Sequence, residues 1–111
     1  MPIFITQGRY TRDAIKGMIT KPEDRADAVS RLYAKAGARL LGYYVTFGEY
    51  DFLIISEAPS ETQMAAILMA VGSGAGVTDL RTTLAMTSIE AKGAFAAAGD
   101  LAPQFRSAGG V

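Results

Sequence analysis

Asp51 follows Tyr50 in the tetrapeptide Gly48-Glu49-Tyr50-Asp51. A carboxylate beside a phenol can orient a small polar ligand, or move a proton where burial raises its pKa. Arg81 stands in the run Leu80-Arg81-Thr82-Thr83. A guanidinium turned inward there needs a carboxylate or an anionic ligand, because an unpaired buried charge is costly. Glu49, Asp51 and Glu57 are the carboxylates nearest in the pattern, and Tyr43, Tyr44, Tyr10 and Phe47 offer rings on which an aromatic ligand would stack. The expected ligand-binding residues are therefore Tyr43, Gly48, Tyr50, Asp51, Arg81 and Thr83, with no catalytic residue assignable. The same residues have a plainer reading, in which Gly48 supplies the turn, Asp51 bonds the turn's amides, the rings pack in the core and Arg81 lies on an open surface.

A second cluster, Arg9, Arg12, Lys16 and Lys21, faces the single acid Asp13. Arg12 and Lys16 are four apart, a mildly unfavourable pair that an anion would relieve and a solvated basic face would tolerate. The chain contains no histidine and no cysteine. Imidazole bases, thiolate nucleophiles, disulfides and the common zinc and haem ligands are thereby excluded, so neither a metal nor a cofactor is expected.

The elements that must position these residues read clearly. Pro2 to Gly8 is a first strand; Thr11 caps a helix that breaks near Thr20; Pro22 is suited to the first position of a second helix, which ends at Gly37. Arg39 to Phe47 alternates as a strand with Leu41, Tyr43, Val45 and Phe47 on one face, and only Gly48-Glu49-Tyr50 separate it from Asp51 to Glu57, which predicts an antiparallel hairpin. Ser60 and Gln63 form a capping signature for a third helix carrying Met64, Ile67, Leu68 and Val71. Gly72 to Gly76 ends that helix, and Val77 to Thr87 is a fourth strand with Leu80, Thr82, Leu84 and Met86 on one face. Ser88 is placed to cap an alanine-rich helix to about Ala98, and the methionines, Met64, Met69 and Met86 among them, read as core fillers. The order is an α+β, ferredoxin-like βαββαβ with an extra C-terminal helix. It divides into a domain over 1–98 and a tail or docking arm over 99–111.

With 111 residues, half of them hydrophobic, the chain has material for one core. Eleven basic residues balance eleven acidic ones, which lacks the charge excess of a nucleic-acid binder. No apolar run is long enough to span a membrane, and the first residues lack the features of a signal peptide, so the cytoplasm is the expected compartment. In this architecture both helical layers cover one side of the sheet and the other side is normally polar. Here strands one and three carry apolar residues on both faces, in Ile3-Phe4-Ile5 and Phe52-Leu53-Ile54-Ile55. Leaving five or six such side chains wet, at roughly 1.5–3 kcal/mol each, is a large loss for a small domain. A second copy packed face to face would remove it, as would the C-terminal helix folding back.

The hairpin Gly48-Glu49-Tyr50-Asp51, with Tyr43 and Tyr44 before it and an apolar strand after it, resembles the GYD family of small bacterial proteins. The likeness covers roughly residues 2 to 92 and includes Lys16-Gly17, Pro22, Arg25, Gly37, Gly42, Ala58-Pro59 and Thr82-Thr83-Leu84-Ala85. It implies a ferredoxin-like chain assembling as a dimeric α/β barrel or larger ring, in a family of largely undefined role. The stretch Tyr44 to Asp51, with Gly76-Val77 later, is also similar to the effector-binding domain of leucine-responsive transcription regulators, without their helix-turn-helix. The expected function is a small-molecule-binding or regulatory homo-oligomer taking a small anionic or polar metabolite. The alternatives are a cofactor-independent isomerase or monooxygenase of the dimeric α/β barrel type, using Asp51 or a tyrosine, and a structural assembly subunit.

Overall fold

The computed structural model describes residues 1–110. Strand β1 spans Ile3–Tyr10, helix α1 Arg12–Thr20, α2 Arg25–Lys35, β2 Arg39–Val45, β3 Phe52–Glu57, α3 Glu61–Gly72, β4 Val77–Ala85 and α4 Ser88–Leu101, followed by a short 3₁₀ turn at Ala102–Gln104. The strands form one antiparallel sheet in the order β2-β3-β1-β4. This is the ferredoxin-like arrangement with an appended helix.

Local chemistry explains most boundaries. Thr11 caps α1 by accepting from the Ala14 amide, and Ser60 caps α3 by accepting from the Gln63 amide. Gly37 ends the α2 segment at φ +77°, where a β-carbon would be strained. Two starts differ from expectation. Pro22 is not the first residue of α2; Asp24 caps that helix instead, its carboxylate accepting from Ala26 N. Likewise Ser88 is already helical and Thr87 caps α4, in a reciprocal box with Glu90.

The strands show two irregularities. Gly42 pairs with Ile55 while Leu40 pairs with Ser56, so Leu41 is an extra residue in β2. The bulge breaks the simple alternation of Leu41, Tyr43 and Val45, and Leu40 rather than Leu41 packs with Tyr43 against the core. Strand β2 then stops at Val45, and Phe47, beyond it, is 99% exposed rather than aligned with Tyr43. A second bulge lies in β4, where Asp79 and Leu80 together stand opposite Gly8 of β1; Asp79 is the single described non-glycine residue at positive φ.

The core lies between the sheet and helices α2 and α3. Tyr33, Met64 and Ile67 bury against Phe4, Phe52 and Ile54, with Thr6 and Ser56 buried among them. Met69 and Met86, by contrast, are exposed: only Met64 lies on the inward stripe of α3, and Met86 follows the last residue of β4. Gly8 is tightly enclosed, since a β-carbon there would stand 2.6 Å from the Phe52 ring.

Helix α4 behaves differently from the rest. No residue of it is buried, and its substantial packing is with the following 3₁₀ turn alone. The radius of gyration is 18.1 Å, against about 13 Å for a compact chain of this length. By the strand register, α4 leaves the sheet at the end opposite the Gly48-Asp51 turn and does not fold back over the open face.

Candidate functional site

The Gly48-Glu49-Tyr50-Asp51 turn is closed by Thr46 and tied to β1. Thr46 N donates to Asp51 O at 2.9 Å and Thr46 Oγ1 to Tyr50 O at 2.8 Å, while Asp51 N donates to Gly8 O at 2.8 Å. The Asp51 carboxylate accepts from Tyr10 N at 2.9 Å, so it satisfies a strand amide that the ladder leaves over. Gly48 has φ +152° with open space around it, so conformation and not room calls for glycine there.

On the open face of the sheet the turn meets two guanidinium groups. Arg9 Nε donates to Glu49 O at 2.7 Å, and Arg9 pairs with Asp79 at 3.4 Å and lies 5.4 Å over the Tyr50 ring. Arg81 Nη1 reaches the Tyr50 hydroxyl at 3.5 Å and has no carboxylate partner among the described residues. Glu57, one of the partners considered for it, is held by Arg39 at 2.6 Å at the far end of the sheet. Gln7, Thr46, Phe47, Gly48, Glu49, Tyr50 and Arg81 enclose a shallow cavity of about 340 Å³. A guanidinium with free donors, a phenol and an exposed phenyl ring suit an anion carrying an apolar part.

Of the expected ligand residues, Gly48, Tyr50 and Arg81 come together here. Thr83 sits two residues along β4 on the same face, opposite Ile5. Asp51 lies beneath, bonded to Tyr10 N, and Tyr43 is on the opposite face, paired in register with Ile54. Arg9 is the member that sequence reasoning assigned elsewhere, to the basic face of α1. Strand β1 runs on to Tyr10, and simple alternation places Arg9 on the open face with Ile3, Ile5 and Gln7.

The opposite face holds a second hollow of about 250 Å³ between the sheet and helices α2 and α3. Tyr43 stacks on Phe52 with ring centroids 6.0 Å apart, Tyr10 packs tilted against the same ring at 5.2 Å, and the two tyrosine hydroxyls are hydrogen-bonded to each other. Burial, then the Tyr10 hydroxyl, pushes the Tyr43 pKa well up, so this phenol stays neutral. Burial likewise raises Tyr33, whose hydroxyl lies beside Thr6 and Ser56. Thr6 bonds Thr82 at 3.0 Å, whereas buried Ser56 Oγ has no partner of normal geometry. Among the described residues no cluster of acidic side chains is arranged to hold a metal ion, and no helix is long and apolar enough to cross a membrane.

Fold and site together define a ferredoxin-like α+β domain with a polar, arginine-lined cavity at one end of its open sheet face. The chain belongs to the GYD domain family, whose pattern matches residues 4–95. It is 27% identical over 77 residues to the glutamine synthetase and cystathionine beta-lyase binding protein of Thermus thermophilus, covering 69% of this chain and 81% of that one. Solved structures share the fold. The transcriptional regulator NMB0573 from Neisseria meningitidis, in complex with L-Met, aligns with a TM-score of 0.57 at 18% identity, over 79% of this chain and 51% of the regulator. TTHA0845 from Thermus thermophilus aligns with a TM-score of 0.52 at 17% identity, over 78% of this chain and 95% of that one. An AsnC family transcriptional regulator from Agrobacterium tumefaciens gives 0.53 at 15% identity, over 78% of this chain and half of the regulator.

Proposed function

We propose that this protein is a small-molecule-binding, regulatory homo-oligomer whose copies pack open face to open face, with a small anionic metabolite held beside Tyr50 and Arg81. The observation that carries the reading is Arg81: a guanidinium without a carboxylate partner among the described residues, set next to a phenol at the margin of an uncovered apolar sheet. Ile3, Ile5, Leu53 and Ile55 lie on that face by register, and no described helix packs over it. A bare apolar sheet this size is covered in a stable protein. A second copy is the self-complementary cover, since a two-fold axis sets the same patch against itself. Helix α4 supports assembly too, because Ile89, Phe95 and Leu101 stand exposed on a helix that extends away from the sheet. Gly48 shapes the cavity wall, Asp51 holds the turn that presents Tyr50, and Thr83 adds a hydroxyl on the same face. The Thermus relative named for binding two enzymes, and the Neisseria regulator solved with L-Met, support a regulatory role.

The test joins mass in solution to ligand response. Light scattering should give a dimer or a multiple of one for the native chain and a smaller species for Ile55→Lys. A thermal-shift screen of carboxylates, amino acids and phosphates should find a stabilising anion whose effect disappears in Arg81→Ala. A monomer at high concentration, or a ligand response indifferent to Arg81, overturns the proposal.

A further inference from the structure

The hollow on the helix-covered face is separate from the Arg81 cavity, being on the other side of the same sheet. Tyr10, Tyr43 and Arg25 gather as a polar end. The apolar lining is Leu32, Ile54, Leu68, Val71 and Leu80, with Thr6 and Tyr33 among it. No carboxylate among the described residues lines it. At about 250 Å³ it falls just below the ~300 Å³ lower bound usual for drug-sized ligands and far above the ~30 Å³ of one water. A closely packed interior of this size leaves few voids larger than a water, so the hollow is a feature to be explained.

Proton accounting at the polar end points to its occupant. Tyr10 and Tyr43 hydroxyls bond each other, which uses one of their two protons. The other has no acceptor among the described residues. Arg25 is close enough to act on the Tyr43 charge and pairs with Glu23 at 3.0 Å, leaving further guanidinium donors. The polar end therefore offers a spare phenol proton and a cation, both of which suit an anion. An adjoining hollow of about 390 Å³ shares Tyr10, Arg25, Gly76 and Val77 and leads outward past Lys21 and Glu23, between α1 and the start of α2. It supplies the access route.

We infer that this hollow is a binding site for a small monocarboxylate with an aliphatic or aromatic tail, its carboxylate on the Tyr10-Tyr43 pair and Arg25 and its tail among Leu32, Ile54, Leu68 and Val71. An α-amino acid with the same tail brings an ammonium to a wall that contains a guanidinium and whose nearest carboxylate, Glu23, is already paired with that guanidinium, so it is rejected. This site discriminates by absence of the amine.

Titration calorimetry of the full chain with isocaproate and hydrocinnamate, against leucine and phenylalanine, tests it. The two monocarboxylates should bind and the two amino acids should not. Arg25→Ala and Tyr43→Phe should each weaken binding about tenfold or more, the scale of a lost hydrogen bond to a charged group. Leu68→Trp fills the apolar part; with circular dichroism confirming an unchanged fold, it should abolish binding. Arg81→Ala should leave the affinity unchanged, which separates this site from the one on the open face. No heat with either monocarboxylate, equal affinity for the amino acids, or binding that survives both Arg25→Ala and Leu68→Trp overturns the inference, as does binding lost with Arg81.

Discussion

One sheet end carries two unlike surfaces. Towards the helices, the Tyr10 and Tyr43 rings pack against buried Phe52 with their hydroxyls paired; towards the open side, Arg9, Arg81 and Tyr50 lie at the margin of uncovered apolar strands. Consecutive residues supply both, because successive side chains of a strand point to opposite faces. The covered face gets its stability within the chain, whereas the open face has apolar area that only another surface can bury. Asp51 lies between them, its amide on Gly8 O and its carboxylate on Tyr10 N.

The contrast breaks most decisively at neighbouring β3 positions. Phe52→Ala should cost about 3–5 kcal/mol in denaturant unfolding, as large-to-small changes in a packed core do. Ile55→Lys, on the open face, should leave the chain folded and lower its assembled mass; equal loss of fold in both would show that the open face is core. Next is Asp51→Ala, which strands the Tyr10 amide and should cost roughly 1–3 kcal/mol, with Asp51→Asn, which keeps an acceptor, closer to native. Gly48→Ala forces a side chain to positive φ and should cost about 1–2 kcal/mol by the same assay. The smallest effect is on α4. The Thr87 amide and hydroxyl hold the Glu90 pKa below its usual value, so the helix-capping contribution is fully present above the unfolded value of about 4.3 and is lost as pH falls below it through the lowered one. Helical ellipticity should decline modestly there, and Glu90→Gln should flatten the pH profile.

Much of this architecture is legible along the chain because it is written in local chemistry. Thr11 and Ser60 are caps, Gly37 is a stop, and the apolar run through Phe52 to Ile55 is a strand. What escaped has non-local causes. The insertion of Leu41 is visible only when β2 is laid against β3, and Arg9 joins Tyr50 because β1 continues past Gly8 beside a turn some 40 residues away in sequence. Pro22 and Ser88 have the chemistry of helix starts, but Asp24 and Thr87 each place an oxygen on a free helix amide. The pairing of Tyr10 with Tyr43, and the hollow they line, follow no periodicity at all.

The sequence by itself determined the order of elements, the two-sided apolar character of β1 and β3, and the chemistry left out by having neither histidine nor cysteine. Caps, turns and alternation act over a few residues, so they can be read in order. Only the tertiary structure decided which arginine meets which phenol, that Asp51 is bound to a strand amide, and that α4 extends away from the sheet. Those outcomes depend on register and on packing between distant segments, where one inserted residue changes the face of every residue after it.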